Sequence, residues 1–319
     1  MQTSLWAVCI MPLEPVYCGD MAGQGNEKVF TTAHGTFTMD TQSDAKISGV
    51  FSGDHYHHQE TLDLLPYLAA RGGTIVDVGA HVGTLAIPFA QYASKVIAFE
   101  PTPATFGFLQ KNIALNTAPV DARNKGLGAA LGRAASVVLH DFSAAANTLS
   151  VGEGDIEIST LDAEVPAADF VKIDVEGMEL GVLQGGSRLW QESKPPILFE
   201  VNLFALRRHG TAAADLQGFL KQYGYSLYYP VQKAGRLHLA KIWSLSLFVL
   251  CIAPRSFMFG GPSAPFDVVA IPRGHALSAP LPRISAGAML LKLIGGNLSQ
   301  KIRRLLSIFA ASDKLQSAR

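Results

Sequence analysis

The chain has 319 residues, enough to bury a full core as one large domain or two small ones. Its 26 Lys and Arg balance 26 Asp and Glu, so no net field favours nucleic acid or an acidic polymer. Three widely spaced cysteines, Cys9, Cys18 and Cys251, make neither a disulfide framework nor a zinc site and fit a reducing, cytoplasmic setting. No basic segment precedes the short apolar run "LWAVCIMPL", which argues against a signal peptide, and no stretch reaches the roughly 18 apolar residues of a membrane span.

From residue 72 onward, strand and helix patterns alternate. "TIVDVGA" (74–80) is a short β-branched run ended by glycine, and "HVGTLAIPFAQYA" (81–93) has helical spacing with Pro88 inside it. "KVIAFE" (95–100) predicts a second strand and "TPATFGFLQKNIALNT" (102–117) a second helix, with Pro103 in its first turn. A third strand is expected near 119–124, followed by a Gly/Ala-rich segment. "FVKIDVEG" (170–177) predicts strand four and "MELGVLQGGSRLW" (178–190) its helix. "PPILFEVN" (195–202), "AADLQGFLKQYG" (213–224), "YSLYYP" and "FDVVAIP" (266–272) complete the series. This order predicts an α/β, doubly wound, mostly parallel sheet. The expected organisation is an N-terminal cap over 1–71, a core domain over 72–272 with an insertion at about 231–265, and a C-terminal extension over 273–319.

Ligands of doubly wound sheets sit beyond the carboxyl ends of the strands. There, "DVGAHVG" places Asp77, Gly79 and Gly83, and glycines let the chain turn sharply and a ligand approach. The spacing is G-x-x-x-G, not the G-x-G-x-x-G that seats a pyrophosphate, which counts against a dinucleotide. Glu100, at the next strand end, can accept hydrogen bonds from two vicinal hydroxyls, as an acid there does for a ribose. A nucleoside without phosphates fits these positions, and S-adenosylmethionine is such a ligand. The plainer account is an ordinary tight βα turn.

"IVDVGAHVGTLAIPFA", "VIAFEPTPATFGFLQKN", "TLDAE" (160–164), "VKIDVEGMELGVLQGG", "ILFEVN" and "FDVVAIP" resemble, in order and spacing, the FkbM-type S-adenosylmethionine-dependent methyltransferases. The resemblance covers about residues 45 to 230 plus the last strand, and the I-D-x-E-G-x-E block is its most specific part. It implies a class I methyltransferase (Rossmann-like) fold and methyl transfer to an oxygen, typically a hydroxyl of a sugar, glycan or small natural product. Carried onto this sequence, it implies a cofactor turn at Asp77, Gly79, Ala80, His81 and Gly83, and a ribose acid at Glu100 beside Pro101. It also implies an acidic block at Asp174, Glu176 and Glu179. His81 stands where the family often has Asn.

The block's position gives its acids work to do. An alcohol is a poor nucleophile until its proton is accepted, and a carboxylate at a strand end can accept it or orient the hydroxyl. Asp174 is the first candidate for that base and Glu176 the second, with His81 a third; Asp174 also counts among the residues near the cofactor. Glu179 is expected to anchor the loop or to cap the helix start, a role all three acids could share.

Other features rank lower. "GDHYHHQE" matches no standard metal-ligand spacing, so no metal is expected, but His55 or Tyr56 could touch substrate or cofactor. Asp141 could reach an adenine amino group, and Glu200 and Asn202, after strand five, are acceptor-site candidates. "LLKLIGGNLSQKIRRLLSIF" has apolar residues at helical spacing with Lys301, Arg303 and Arg304 among them, a pattern that leaves membrane-surface contact open, as it leaves a homodimer. Two other classes stay in view: a nucleotide-dependent dehydrogenase or epimerase, and a binding module that keeps the pocket without catalysis. "DVEG" stands where many amino methyltransferases carry D/N-P-P-Y/F, which disfavours N-methylation of nucleic acid.

Overall fold

The computed structural model describes residues 27–40, 56, 58–137, 148–152, 154–233, 236–252, 265–277 and 283–284. His55, Asp141, the N-terminal apolar run and the C-terminal basic segment lie outside the described residues. Two compact units divide the chain, one gathering 1–65, 70–126 and 131–159, the other 66–69, 127–130 and 160–319.

The first unit opens with a hairpin of β1 (Glu27–Thr32) and β2 (Gly35–Asp40), followed by α1 (Gln59–Leu68). β3 (Thr74–Val78) and β4 (Lys95–Phe99) pair in parallel, and β4 pairs in parallel with β5 (Val120–Arg123). Their residues Ile75, Val76, Val78, Val96, Ile97 and Phe99 are buried, as strands covered on both faces require. Between β3 and β4 lies α2 (Ala86–Tyr92), and between β4 and β5 lies α3 (Pro103–Asn116).

α2 starts at Ala86 rather than at 81 because His81 (φ 53) and Gly83 (φ 94) hold left-handed backbone that no α-helix contains. Pro88 then falls in the first turn, where its missing N–H costs nothing. α3 has Pro103 at its start and Thr117, left-handed at φ 51, just past its end. Two asparagines of α3 grip β2: Asn112 accepts from Thr38 N at 2.6 Å and donates to Thr38 O at 3.0 Å, and Asn116 does the same with Thr36 at 2.8 and 2.7 Å.

After β6 (Gly126–Leu127), the segment read as Gly/Ala-rich instead forms strands. β7 (Gly132–Val137) pairs antiparallel with both β8 (Thr148–Val151) and β9 (Ile156–Ser159), over a small core of Ala134, Ile156 and Ile158.

The second unit begins with α4 (Leu161–Glu164) and β10 (Phe170–Ile173). The helix expected over 178–190 is two short ones, α5 (Glu179–Gln184) and α6 (Ser187–Glu192). At the break, a Cβ on Gly185 would meet Gly128 O at 2.1 Å and one on Gly186 the Trp190 ring at 2.7 Å. The "TLDAE" stretch clamps this region: Asp162 accepts from Arg188 N and Leu189 N at 2.8 and 3.0 Å, and Arg188 donates back to the carbonyls of Asp162, Val165 and Pro166.

β11 (Ile197–Val201) pairs in parallel with β10, and α7 (Leu203–Arg208) and α8 (Ala213–Gln222) follow. β12 (Tyr225–Lys233) and β13 (Arg236–Ile242) form a hairpin, so the first part of the stretch expected as an insertion prolongs the sheet before α9 (Leu245–Ile252). β14 (Phe266–Pro272) pairs antiparallel with both β11 and β12, and β15 (Arg283–Ile284) adds a short edge. The order in this unit is β10-β11-β14-β12-β13-β15 and in the first β3-β4-β5. The fold is the expected α/β, Rossmann-like class, with one late antiparallel strand lodged between two parallel ones.

Candidate functional site

In the first unit, the carboxyl ends of β3 and β4 build a turn around one buried carboxylate. Gly79 N and Ala80 N both donate to Phe99 O at 2.9 Å, so β3 is pinned to β4 up to its last turn. Gly79 has φ 84, a conformation that suits glycine. Gly83 also has positive φ, but here the lack of a Cβ serves the protein's own core, since one would meet Leu109 Cδ1 at 2.9 Å.

Glu100 is 6% exposed. Its Oε2 accepts from His81 N at 3.1 Å and its Oε1 from Thr102 N at 2.9 Å. Burial raises the Glu100 carboxyl above its ordinary range, opposed by His81 and by the Thr102 amide. Asn124 donates to the carbonyls of Glu100 and Pro101 at 2.9 and 3.1 Å, which fixes the backbone on both sides of the peptide. Asp77 is 2% exposed beside this turn, and Tyr56 donates its hydroxyl to Thr84 O. Burial, and then the Asp77 charge, push the Tyr56 phenol far above its usual value. Asn112 joins the turn to the N-terminal hairpin through a bond to Val82 O at 2.8 Å.

In the second unit, the carboxyl ends of β10 and β11 carry the acids. Asp174 follows β10 directly and accepts from Lys172 Nζ at 3.1 Å. Glu176 sits in left-handed backbone at φ 50, unusual for a non-glycine residue and a kind of strain found at functional loops. Its Oε2 accepts from Asn202 Nδ2 at 3.3 Å. Asn202 also caps α7, its Oδ1 accepting from Ala205 N at 3.2 Å, so both ends of this amide shape the loop. Gly177 (φ 102) has no room for a side chain, because a Cβ would meet the Ala205 carbonyl at 2.5 Å.

Glu179 is fully buried and turns back on the loop, its Oε1 accepting from Gly177 N at 3.1 Å and Val175 N at 3.4 Å. Its other oxygen, Oε2, has no hydrogen-bond partner among the described residues. Burial dominates and lifts this carboxyl to about 7, with the Asp174 charge adding to the rise. Glu200, in β11, is raised well above its ordinary range by burial first, then by Asp174 and Glu176.

The expected residues therefore form two groups. Asp77, Gly79, Ala80, His81, Gly83, Glu100, Pro101 and Tyr56 gather around the β3 turn, and Asp174, Glu176, Glu179, Glu200 and Asn202 around the end of β10. Sequence reasoning passed over Lys172, Asn112 and Asn124. Lys172 stands inside the apolar run "FVKI", but a lone lysine there reads as the solvent face of a strand.

The family model described as "Methyltransferase FkbM domain" matches residues 77–227, from the acid of β3 to the start of β12. This stretch is similar to an FkbM methyltransferase domain. A curated relative, the hexuronic acid methyltransferase AglP of Haloferax volcanii, is 35% identical over 136 residues, which cover 40% of this chain and 55% of the relative. The chain thus spans about half the length of that relative. Among solved structures, the methyltransferase FkbM of Methylobacillus flagellatus matches at 21% identity and a TM-score of 0.31, covering 40% of this chain and 32% of the other. P. horikoshii TYW2, solved in complex with MeSAdo, matches at 17% identity and a TM-score of 0.40, covering 79% and 74%. The matched stretch contains every described site candidate except Tyr56, which precedes it. Among the described residues, no helix is long and apolar enough to cross a membrane.

Proposed function

We propose that the chain transfers a methyl group from S-adenosylmethionine to a hydroxyl oxygen of a sugar or glycan. The match of residues 77–227 to the FkbM methyltransferase domain carries this reading, and the sugar class follows the relative that acts on a hexuronic acid. The oxidoreductase alternative is not favoured.

The β3 turn fits the cofactor. Gly79 offers bare backbone, and Glu100, already oriented by the backbone amides of His81 and Thr102, is a carboxylate acceptor for a vicinal diol. Asp77, buried beside it, adds a further acceptor. When bound, the cofactor supplies an electrophilic methyl group on a sulfonium centre.

The residues around β10 serve the acceptor. Asp174, its side chain 33% exposed, is the group best placed to take the hydroxyl proton. With the cofactor bound, Asp174 would accept the acceptor's hydroxyl proton as its oxygen takes the methyl group and the bonding pair stays on sulfur. Glu176, strained and tethered by Asn202, orients the hydroxyl, and Glu179 holds the loop that carries both.

Incubating purified protein with labelled S-adenosylmethionine and with uronic acids, neutral sugars and glycolipid extracts tests the reading. Label should pass to a sugar and resist mild alkali, as an ether does. Tight NAD binding with no response to the methyl donor would overturn it.

A further inference from the structure

Lys172 stands in β10 between Val171 and Ile173 and is 2% exposed. An ammonium buried in an apolar strand costs several kcal/mol unless opposite charge meets it. Asp174 meets it at 3.1 Å. Side chains two apart on a strand share a face, so Lys172 and Asp174 point the same way. The register carries that face across the unit: Lys172 lies beside Leu198 in β11, two residues before Glu200, and Glu200 lies opposite Asp267 in β14. Lys172, Asp174, Glu200 and Asp267 therefore form a row over three strands.

Charges reach this row from each neighbouring element. Asp174, Glu176 and Asp267 all disfavour an anion at Glu200, and Lys172 favours it. From α5, Glu179 and Asp174 repel one another. Each carboxylate in such a row makes ionisation of its neighbours harder.

We propose that Lys172 is the positioning residue of this row, its ammonium holding Asp174 as the anion and leaving Glu200 to carry the proton. The two carboxyls then stand in opposite states at the same pH, one ready to receive a proton and the other already bearing one. Burial and the charges of Asp174 and Glu176 raise Glu200 in the direction this division requires. The catalytic consequence rests on the reading of Asp174 as the base; the division of charge does not.

Carboxylate-labelled NMR of the purified chain, without donor or acceptor, tests the division. A carboxyl assigned through Glu200→Gln should titrate well above the ordinary glutamate range, and above the one assigned through Asp174→Asn. Lys172→Met, which keeps volume and removes charge, should move both titrations upward by about one pH unit or more. In turnover, the acid limb of the pH profile should rise with it, while KM for the methyl donor stays within a few fold. If Lys172→Met does not fold, Asp174→Asn carries the test, because losing that charge should lower the Glu200 titration by a similar amount. Titrations unmoved in a folded variant, or a Glu200 that titrates like an exposed glutamate, would overturn the proposal. An inactive but normally titrating protein would instead count against the methyltransferase reading.

Discussion

The backbone amide of His81 donates to Glu100 Oε2 at 3.1 Å, and it does so from left-handed backbone at φ 53. A residue of the turn after β3 thus sets the orientation of the acid after β4, and the demand on position 81 is conformational before it is chemical. Asn and His tolerate this region, whereas a β-branched residue is a genuine outlier there. His81→Asn should keep cofactor affinity within a few fold. His81→Val should lower stability by about 1–3 kcal/mol and weaken binding with it. Thermal melts and calorimetry read both, and equal behaviour of the two variants would remove backbone conformation as the reason.

Glu100→Ala removes the proposed ribose acceptor while leaving the β3 glycine turn in place. Affinity for S-adenosylmethionine and for its homocysteine product should fall by about 1–3 kcal/mol, the range of lost hydrogen bonds to a charged group. Calorimetry on the folded variant measures it. Unchanged affinity would place the ribose elsewhere.

Asp174→Asn keeps the shape of the β10 end and loses the base. Turnover should fall about 10²–10⁴-fold, with cofactor affinity held within a few fold. Lost cofactor binding with turnover intact at saturation would make Asp174 a cofactor ligand, and the base would then be sought at Glu176 or His81. Melts with and without cofactor separate both outcomes from misfolding.

Glu179 gives a prediction on stability alone. Its folded-state carboxyl sits at about 7 against an ordinary 4.5, so the native protein binds this proton more tightly than the unfolded chain. The stability it contributes is therefore complete below about 4.5 and is lost as pH rises through about 7. The difference of 2.5 units between 7 and 4.5 sets an upper scale of about 3 kcal/mol. Glu179→Gln keeps an acceptor for the amides of Val175 and Gly177 but removes the titration. The variant should match the parent at about pH 5 and be the more stable at about pH 8.5. Parallel melting curves across that range would show that Glu179 is not the buried acid it looks to be.

The parallel strands were legible because each is an apolar run ended by glycine, an acid or asparagine: "TIVDVG", "KVIAFE", "FVKID" and "ILFEVN" became β3, β4, β10 and β11. β7 and β8 were not, because "GRAASV" and "TLSV" are built from small and polar residues that carry little alternation. The break between α5 and α6 hid inside a good helical pattern, since Gly185 there packs against the Gly128 carbonyl, a contact from a distant part of the chain. At the site, the acids declared themselves by position. Lys172 did not, because one lysine in a strand reads as its solvent face until the register across β11 and β14 is known.

Asn112 and Asn116 have a consequence beyond anchoring the hairpin. Their amides give Thr36 and Thr38 of β2 the same donor and acceptor pair that a neighbouring strand would give. A bare strand edge is a template for another chain, and proteins blunt such edges to stay apart in solution. Here a helix does the blunting with two side chains one turn apart. The edge of β2 that faces α3 is thereby closed to strand exchange.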